Sequence, residues 1–429
     1  MRILNTENCK PEELSTILDK PLLQENPEVE ATVRAIIADV KARGDEAVLE
    51  YTRKFDWPNA NTIAIPQSEV NSLAAQVPSK LISAIRVAKE NIERFHLKQV
   101  QTTWFDSERP GILLGQIVNP VERAGIHVPA FAAPLPSSLL MSAIPAKVAG
   151  VREVYVATPP RKDGTIHPAV AAAAVEAGVD GIFRMGGAQA VAALAYGTQT
   201  VPKVDVIVGP GNIYATMAKR FVFGEVGIDM LAGPSEVLVI ADETANPCYV
   251  AADMLSQAEH QTDARAILVT TSALIANEVK AELEKQLNLL SRSETARKSI
   301  EENGLIIIVP DIEKAIEIAN RVAPEHLELM VKDARQYLKS IKNAGAIFLG
   351  EYSTEPIGDY IAGPSHVLPT SGTARFSSPL TVADFTKVSS VIMYSKESLE
   401  AEGPTAVELA EAEGLDAHAN AIRQRLKND

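Results

Sequence analysis

Apolar positions recur at helical spacing over the first hundred residues, at Val33, Ile36, Ile37, Val40 and Val48 and again at Leu81, Ile85, Val87 and Ile92. Each set predicts a long helix. Ahead of them, residues 1–25 read as a short helical arm, with Pro11, Glu12 and Glu13 where a helix starts. Between Thr102 and Val128 the pattern shortens to β-like runs broken by glycine and proline, Ile112-Leu113-Leu114 and Gly125-Ile126-His127-Val128, and a domain boundary is placed there. From 129 to about 235 strands and helices alternate: strands at Val151–Val156, Gly181–Met185 and Val204–Val208, helices at Pro168–Ala177, Ala188–Tyr196 and Tyr214–Val222. A second series follows, with strands at Val237–Ile240, Ala266–Val269, Leu305–Val309 and Ala346–Leu349 and helices at about 273–288, 312–321 and 333–343.

Short apolar strands alternating with helices indicate parallel sheets covered on both faces. The expected fold class is α/β, with two doubly wound Rossmann-like units and small helical arms at both termini. The expected domains are an amino-terminal arm at 1–25, a discontinuous first α/β domain at 26–128 plus 236–380, a second α/β domain at 129–235, and a carboxyl-terminal helical arm at 381–429.

Composition narrows the function. The 429 residues carry 41 Lys plus Arg against 55 Asp plus Glu, a net charge of -14, with no basic run, so nucleic acid and anionic membrane are poor partners. No apolar stretch approaches the ~18 residues needed to cross a bilayer, and the amino terminus lacks an apolar signal core, which reads as cytoplasmic. Cys9 and Cys248 are too few for a thiolate metal cage, so any metal must take nitrogen and oxygen ligands.

Two strand-to-helix corners are rich in glycine, Met185-Gly186-Gly187-Ala188-Gln189 and Val208-Gly209-Pro210-Gly211-Asn212. Free N–H groups at such corners attract phosphate; either corner alone is more often just a tight connection, and two in neighbouring units of one sheet bring the dinucleotide reading level with it. Four histidine clusters stand out: Ser256-Gln257-Ala258-Glu259-His260, Pro324-Glu325-His326, Gly358-Asp359 with Ser365-His366, and Glu413–His418. Imidazoles beside carboxylate or amide oxygens suit zinc. A turn can aim Glu325 and His326 into one pocket as water activator and base; an exposed Glu and His at an element's end is the alternative. His96 and His167 read as structural.

These segments resemble the histidinol dehydrogenase family over essentially the whole chain. The motifs that carry the resemblance are Ala133-Pro134-Leu135-Pro136-Ser137, Gly186-Gly187-Ala188-Gln189-Ala190, Gly209-Pro210-Gly211-Asn212, Ala232-Gly233-Pro234-Ser235-Glu236-Val237, Ser256-Gln257-Ala258-Glu259-His260, Ala323-Pro324-Glu325-His326-Leu327-Glu328, His366-Val367-Leu368-Pro369-Thr370 and Glu413-Gly414-Leu415-Asp416-Ala417-His418. The resemblance implies oxidation of L-histidinol through the aldehyde to L-histidine, with one Zn2+ per subunit and two NAD molecules, in a homodimer with shared active sites. It implies Gln257, His260, Asp359 and His418 as zinc ligands, His326 as general base and Glu325 as the acid/base residue for the second oxidation. Ser235, His366 and Glu413 match substrate contacts, as do the ligands Gln257, His260, Asp359 and His418 with Glu325 and His326. Gln189 and Asn212 match cofactor contacts.

One stretch departs from the family pattern. Where the family carries a cofactor-contacting tyrosine followed by Val-Pro-Gly-Gly, this chain has His127-Val128-Pro129-Ala130-Phe131. His127 is the expected cofactor contact, and the two lost glycines suggest weakened NAD binding. Other readings are a paralogue acting on another small alcohol such as a sulfopropanediol, a zinc hydrolase, which the paired glycine corners argue against, and a non-catalytic binding protein, which an intact set of metal and catalytic residues argues against.

Overall fold

The structure, a computed structural model, describes residues 1–9, 14, 17–18, 26–130, 134–427. Two compact units divide the chain: Met1–Gln99 with Glu122–Phe385, and Val100–Val121 with Thr386–Asp429.

The first unit opens with strand β1 (Arg2–Asn5) and helices α1 (Pro27–Arg43), α2 (Asp45–Phe55), α3 (Gln67–Ala74) and α4 (Ser79–His96). Asn26 caps α1 by accepting the Val29 N–H, and Pro27 takes the first turn, where no amide donor is needed. The second unit holds β2 (Trp104–Asp106) and β3 (Ile112–Pro120). Back in the first unit come β4 (Arg123–His127), α5 (Pro136–Ala149), β5 (Glu153–Thr158), α6 (Pro168–Ala177), β6 (Gly181–Arg184), α7 (Gly187–Tyr196), β7 (Val206–Val208), α8 (Ile213–Val222) and β8 (Gly227–Ile228). There follow β9 (Glu236–Ala241), α9 (Pro247–Ala258), β10 (Arg265–Thr270), α10 (Ala273–Leu287), α11 (Ser293–Asn303), β11 (Leu305–Ile308), α12 (Ile312–Val322), β12 (His326–Met330) and β13 (Ala346–Leu349). The chain ends in the second unit with β14 (Thr386–Tyr394), α13 (Lys396–Ala412) and α14 (Asp416–Leu426).

Two sheets of the first unit are wholly parallel, as expected of a doubly wound α/β chain. One has the order β6-β5-β4-β7-β8 and the other β1-β11-β10-β9-β12-β13. In each, the chain winds outward from a central strand in one direction and then returns to that strand's other side, so each has a switch point, between β4 and β7 and between β9 and β12. Val237, Val239, Leu238 and Ile240 are all buried, because β9 is covered on both faces. The second unit's sheet, β14-β3-β2, is antiparallel, and α13 packs on α14.

Several expected boundaries shift. Arg2–Asn5 is an edge strand beside β11, not part of a helical arm; most of the remaining stretch to residue 25 lies outside the described residues. Helix α1 buries Val29, Val33, Ile36, Ile37 and Val40 against α7 and α8 of the five-stranded sheet, so these helices accompany that sheet rather than residues 236–380. That sheet also starts earlier than residue 129, since β4 is its centre. The carboxyl-terminal region begins with a strand, β14, and the expected helix at 333–343 is a tighter 3₁₀ segment at Ala334–Ser340.

Candidate active site

The carboxyl edge of the five-stranded sheet gathers the three expected cofactor residues. His127 ends β4, Gln189 lies in the first turn of α7 after β6, and Asn212 caps α8 after β7, accepting the Ala215 N–H at 3.0 Å. Gly209 adopts φ +107°, and a Cβ there would lie 2.4 Å from the His127 carbonyl oxygen, so only glycine fits this corner. His127 is 1% exposed, and its Nδ1–H donates to the Pro210 carbonyl at 2.8 Å across the switch point. Burial, helped by the Lys219 charge, outweighs the bond to the Pro210 carbonyl and holds its pKa down at about 4, so the ring is neutral. The corner is braced from below by a buried pair: Lys219 binds Asp229 and donates to the Gly209 carbonyl at 3.1 Å, and Asp229 accepts the Gly209 N–H at 2.8 Å. Ala130 is exposed, and Phe131 lies outside the described residues.

The imidazole–carboxylate pair sits on the other sheet, at its amino edge. Glu325 ends the turn before β12 and His326 opens the strand, beside Val237 of β9. Both turn toward the main chain of Glu236, the first residue of β9. Glu325 Oε2 accepts the Glu236 N–H at 2.8 Å, and His326 Nδ1–H donates to the Glu236 carbonyl at 3.1 Å. The turn thus brings neighbouring side chains together, with Glu325 Oε2 and His326 Nδ1 3.8 Å apart. Burial pushes Glu325 up to about 8. For His326 burial acts the other way, but Glu325 and Asp359 outweigh it and raise the imidazole to about 10. Its Nε2 is buried, without a hydrogen-bond partner among the described residues, 3.8 Å from Asp359 Oδ1.

His260, at the end of α9, Glu355 and Asp359 bring one ligand atom each within 4.8 Å of one another. Gln257, one turn before His260, is 1% exposed, and its Oε1 is buried with no donor among the described residues. An orphaned amide oxygen beside an imidazole and two carboxylates fits a divalent cation of zinc's ligand preferences. The charges agree. Burial raises Asp359, but His326 and His366 outweigh it and bring it down to about 2, while burial and then the Asp359 charge push Glu355 up to about 7. Glu355 was not among the residues expected from sequence.

His366 is tied on both ring nitrogens, Nδ1 to the Asp359 carbonyl at 3.0 Å and Nε2 to the Ser138 hydroxyl at 3.0 Å. Because Ser138 belongs to α5, which follows β4, this contact links the five-stranded sheet to the cluster of Glu325, His326 and Asp359. Ser235 immediately precedes Glu236. Glu413 and His418 lie in the second unit, exposed, after α13 and on α14. His96, bonded to the Ile92 carbonyl, and His167, which caps α6, are structural as expected.

A parallel α/β chain with glycine corners at one sheet's carboxyl edge and a buried acid–base pair beside a metal-suited triad at the other's amino edge defines an oxidoreductase-type enzyme. The histidinol dehydrogenase family profile matches residues 20–426. A histidinol dehydrogenase from Clostridium acetobutylicum is 50% identical over 427 residues, covering 100% of this chain and 99% of its own. One from Geobacter metallireducens is 54% identical over 405 residues, 94% of this chain and 93% of its own. The crystal structure of histidinol dehydrogenase from Elizabethkingia anophelis superposes with a TM-score of 0.94 at 39% identity, covering 99% of this chain and 98% of that one. The chain belongs to the histidinol dehydrogenase family, enzymes of histidine biosynthesis. Among the described residues no helix is long and apolar enough to cross a membrane.

Proposed function

We propose that this chain oxidises L-histidinol through L-histidinaldehyde to L-histidine with two NAD and one Zn2+ per subunit. The observation that carries the reading is the backbone of Glu236 holding Glu325 and His326 side by side next to His260 and Asp359. Gln257, His260 and Asp359 would hold the metal with His418 from a second copy, in a homodimer with shared sites. Bound there, Zn2+ would supply a template for the substrate's amine and imidazole nitrogens, and NAD, which His127, Gln189 and Asn212 would hold, would supply the hydride acceptor.

The chain's own groups move the protons. His326 would be neutral with a cation held at Asp359, which offsets the carboxylate charge that raises the ring; because Nδ1–H is donated to a carbonyl, Nε2 would then carry the free lone pair and take the alcohol proton as the hydride leaves carbon. Glu325 would be favoured by the same positive charge as the carboxylate over its buried acid form; with Oε2 spent on the Glu236 amide, Oε1 would take a proton from the water that adds to the aldehyde. His366 contacts substrate by exchanging its bond to Ser138, and Ser235 and Glu413 complete the substrate site. The product of the second hydride loss is the carboxylate.

Purified, zinc-loaded protein given L-histidinol and NAD should form two reduced nicotinamides for each histidine. No reduced nicotinamide from histidinol, with turnover of a sulfonated diol instead, would assign the paralogous activity.

A further inference from the structure

Asp359 sits on irregular backbone, a single helical turn at Glu355–Ile357 running into a wider turn at Gly358–Ala362. Its own secondary structure is too short to fix its carboxylate. Two buried acids from flanking elements do so. Glu328 on β12, two residues beyond His326, is 1% exposed, and its Oε1 accepts the Glu355 N–H at 3.0 Å. Asp253 on α9, one turn before Gln257, is also buried, and its Oδ1 accepts the Thr354 hydroxyl at 2.6 Å. A third tie runs from the Ser256 hydroxyl to Glu355 Oε2 at 2.7 Å. The turn ahead of Asp359 is therefore fastened at once to the strand that carries His326 and to the helix that carries Gln257 and His260.

On the metal reading proposed above, we infer that Asp253 and Glu328 are positioning residues, which lock the Thr354–Asp359 turn so that Asp359 stands in register with His260, Gln257 and His326. The two acids also meet each other, Glu328 sharing a side-chain hydrogen bond with Asp253, and an apolar pair in both places would avoid the desolvation of two carboxyl groups. What an apolar side chain cannot do is accept the Glu355 amide or the Thr354 hydroxyl. Outer partners of this kind orient metal ligands, and their loss weakens metal binding by about 10–100-fold.

The acceptor is what matters, so the variants separate it from charge. Glu328→Gln and Asp253→Asn keep an acceptor oxygen and should bind zinc as the wild type does. Glu328→Leu and Asp253→Ala remove it and should weaken zinc binding by about 10–100-fold, measured by competition with a chromophoric chelator on folded, metal-stripped dimer. The visible spectrum of the cobalt-substituted protein should change in the same two variants. Where Glu328→Leu does not fold, Thr354→Val, which deletes only one hydroxyl, carries the test. Wild-type zinc affinity in folded Leu and Ala variants, or in Thr354→Val, overturns the inference. A wild-type protein that binds no zinc at all overturns the metal reading instead.

Discussion

Glu325 and Glu236 meet through main chain: the Glu325 carboxylate accepts the Glu236 amide at 2.8 Å, while the carbonyl of the same Glu236 receives His326 Nδ1–H at 3.1 Å. One residue of β9 thereby sets both the orientation of the acid and the tautomer of the base. Separate roles for the two side chains follow. Glu325→Gln should impair oxidation of added histidinaldehyde by about 10²-fold or more, and His326→Asn should impair alcohol oxidation similarly. Steady-state rates on the two substrates decide it; equal, small losses on both would remove the pair from the chemistry.

Metal removal has its own signature. His260→Ala and Asp359→Ala should each lose zinc, read by elemental analysis after dialysis, with far-ultraviolet circular dichroism unchanged. Both residues contribute to the triad from irregular or terminal backbone, so the sheets do not depend on them. Full zinc content in both variants would contradict the proposed ligand set.

The buried Lys219–Asp229 pair supports the Gly209–Asn212 corner and touches neither His326 nor Asp359. Lys219→Met strands a buried carboxylate, a change that costs about 3–5 kcal/mol, and should loosen that corner first. The expected outcome is a raised KM for NAD with histidinol binding, measured without NAD, unchanged. Equal losses in both would mean the pair supports the whole unit.

His127 supplies a pH dependence. Its folded pKa of about 4 lies below the ordinary value of 6.5, so the unfolded chain binds a proton that the folded chain refuses. Stability should therefore be full above pH 6.5 and fall as pH drops toward 4, by about 3 kcal/mol from this group alone. His127→Gln keeps a donor for Pro210 and should show a smaller fall in urea midpoint between pH 7 and 4.5 than the wild type. Parallel curves for the two proteins would show that His127 titrates normally.

Shared sites can be tested by mixing. Inactive His418→Ala chains and inactive His326→Ala chains should recover activity after subunit exchange, because a hybrid dimer then holds one intact site. No recovery in verified hybrids would place each site within a single chain.

The alternation of apolar strands and helices made both parallel sheets legible, and the Gln257–His260 and Glu325–His326 clusters singled out residues that the fold brings near Asp359. Helical periodicity was less informative about partners: it shows which face of Pro27–Arg43 is buried, not which sheet covers it. Arg2–Asn5 is too short for any period to decide, and only pairing with Leu305–Ile308 makes it a strand. Asp253 and Glu355 escaped notice because no motif spacing marks them, and Glu328, though it closes the Ala323–Glu328 motif, was given no role. A signal was present nonetheless, since Glu328 interrupts the otherwise apolar run Leu327–Met330 and Asp253 sits among Val250, Ala251, Met254 and Leu255, places where a charge has no reason to be without a partner.

The two sheets present opposite edges, the five-stranded one its carboxyl end and the six-stranded one its amino end. At a carboxyl edge the turns into the following helices can be lengthened or replaced without disturbing strand pairing, whereas at the amino edge the reacting groups are fastened to the first residues of the strands themselves. Diversification should thus be lopsided. On the proposed function, redox-partner preference can drift by exchanging turns, while Glu325 and His326 can be moved only by re-registering β12 against β9, which would turn every buried side chain of that strand to its other face.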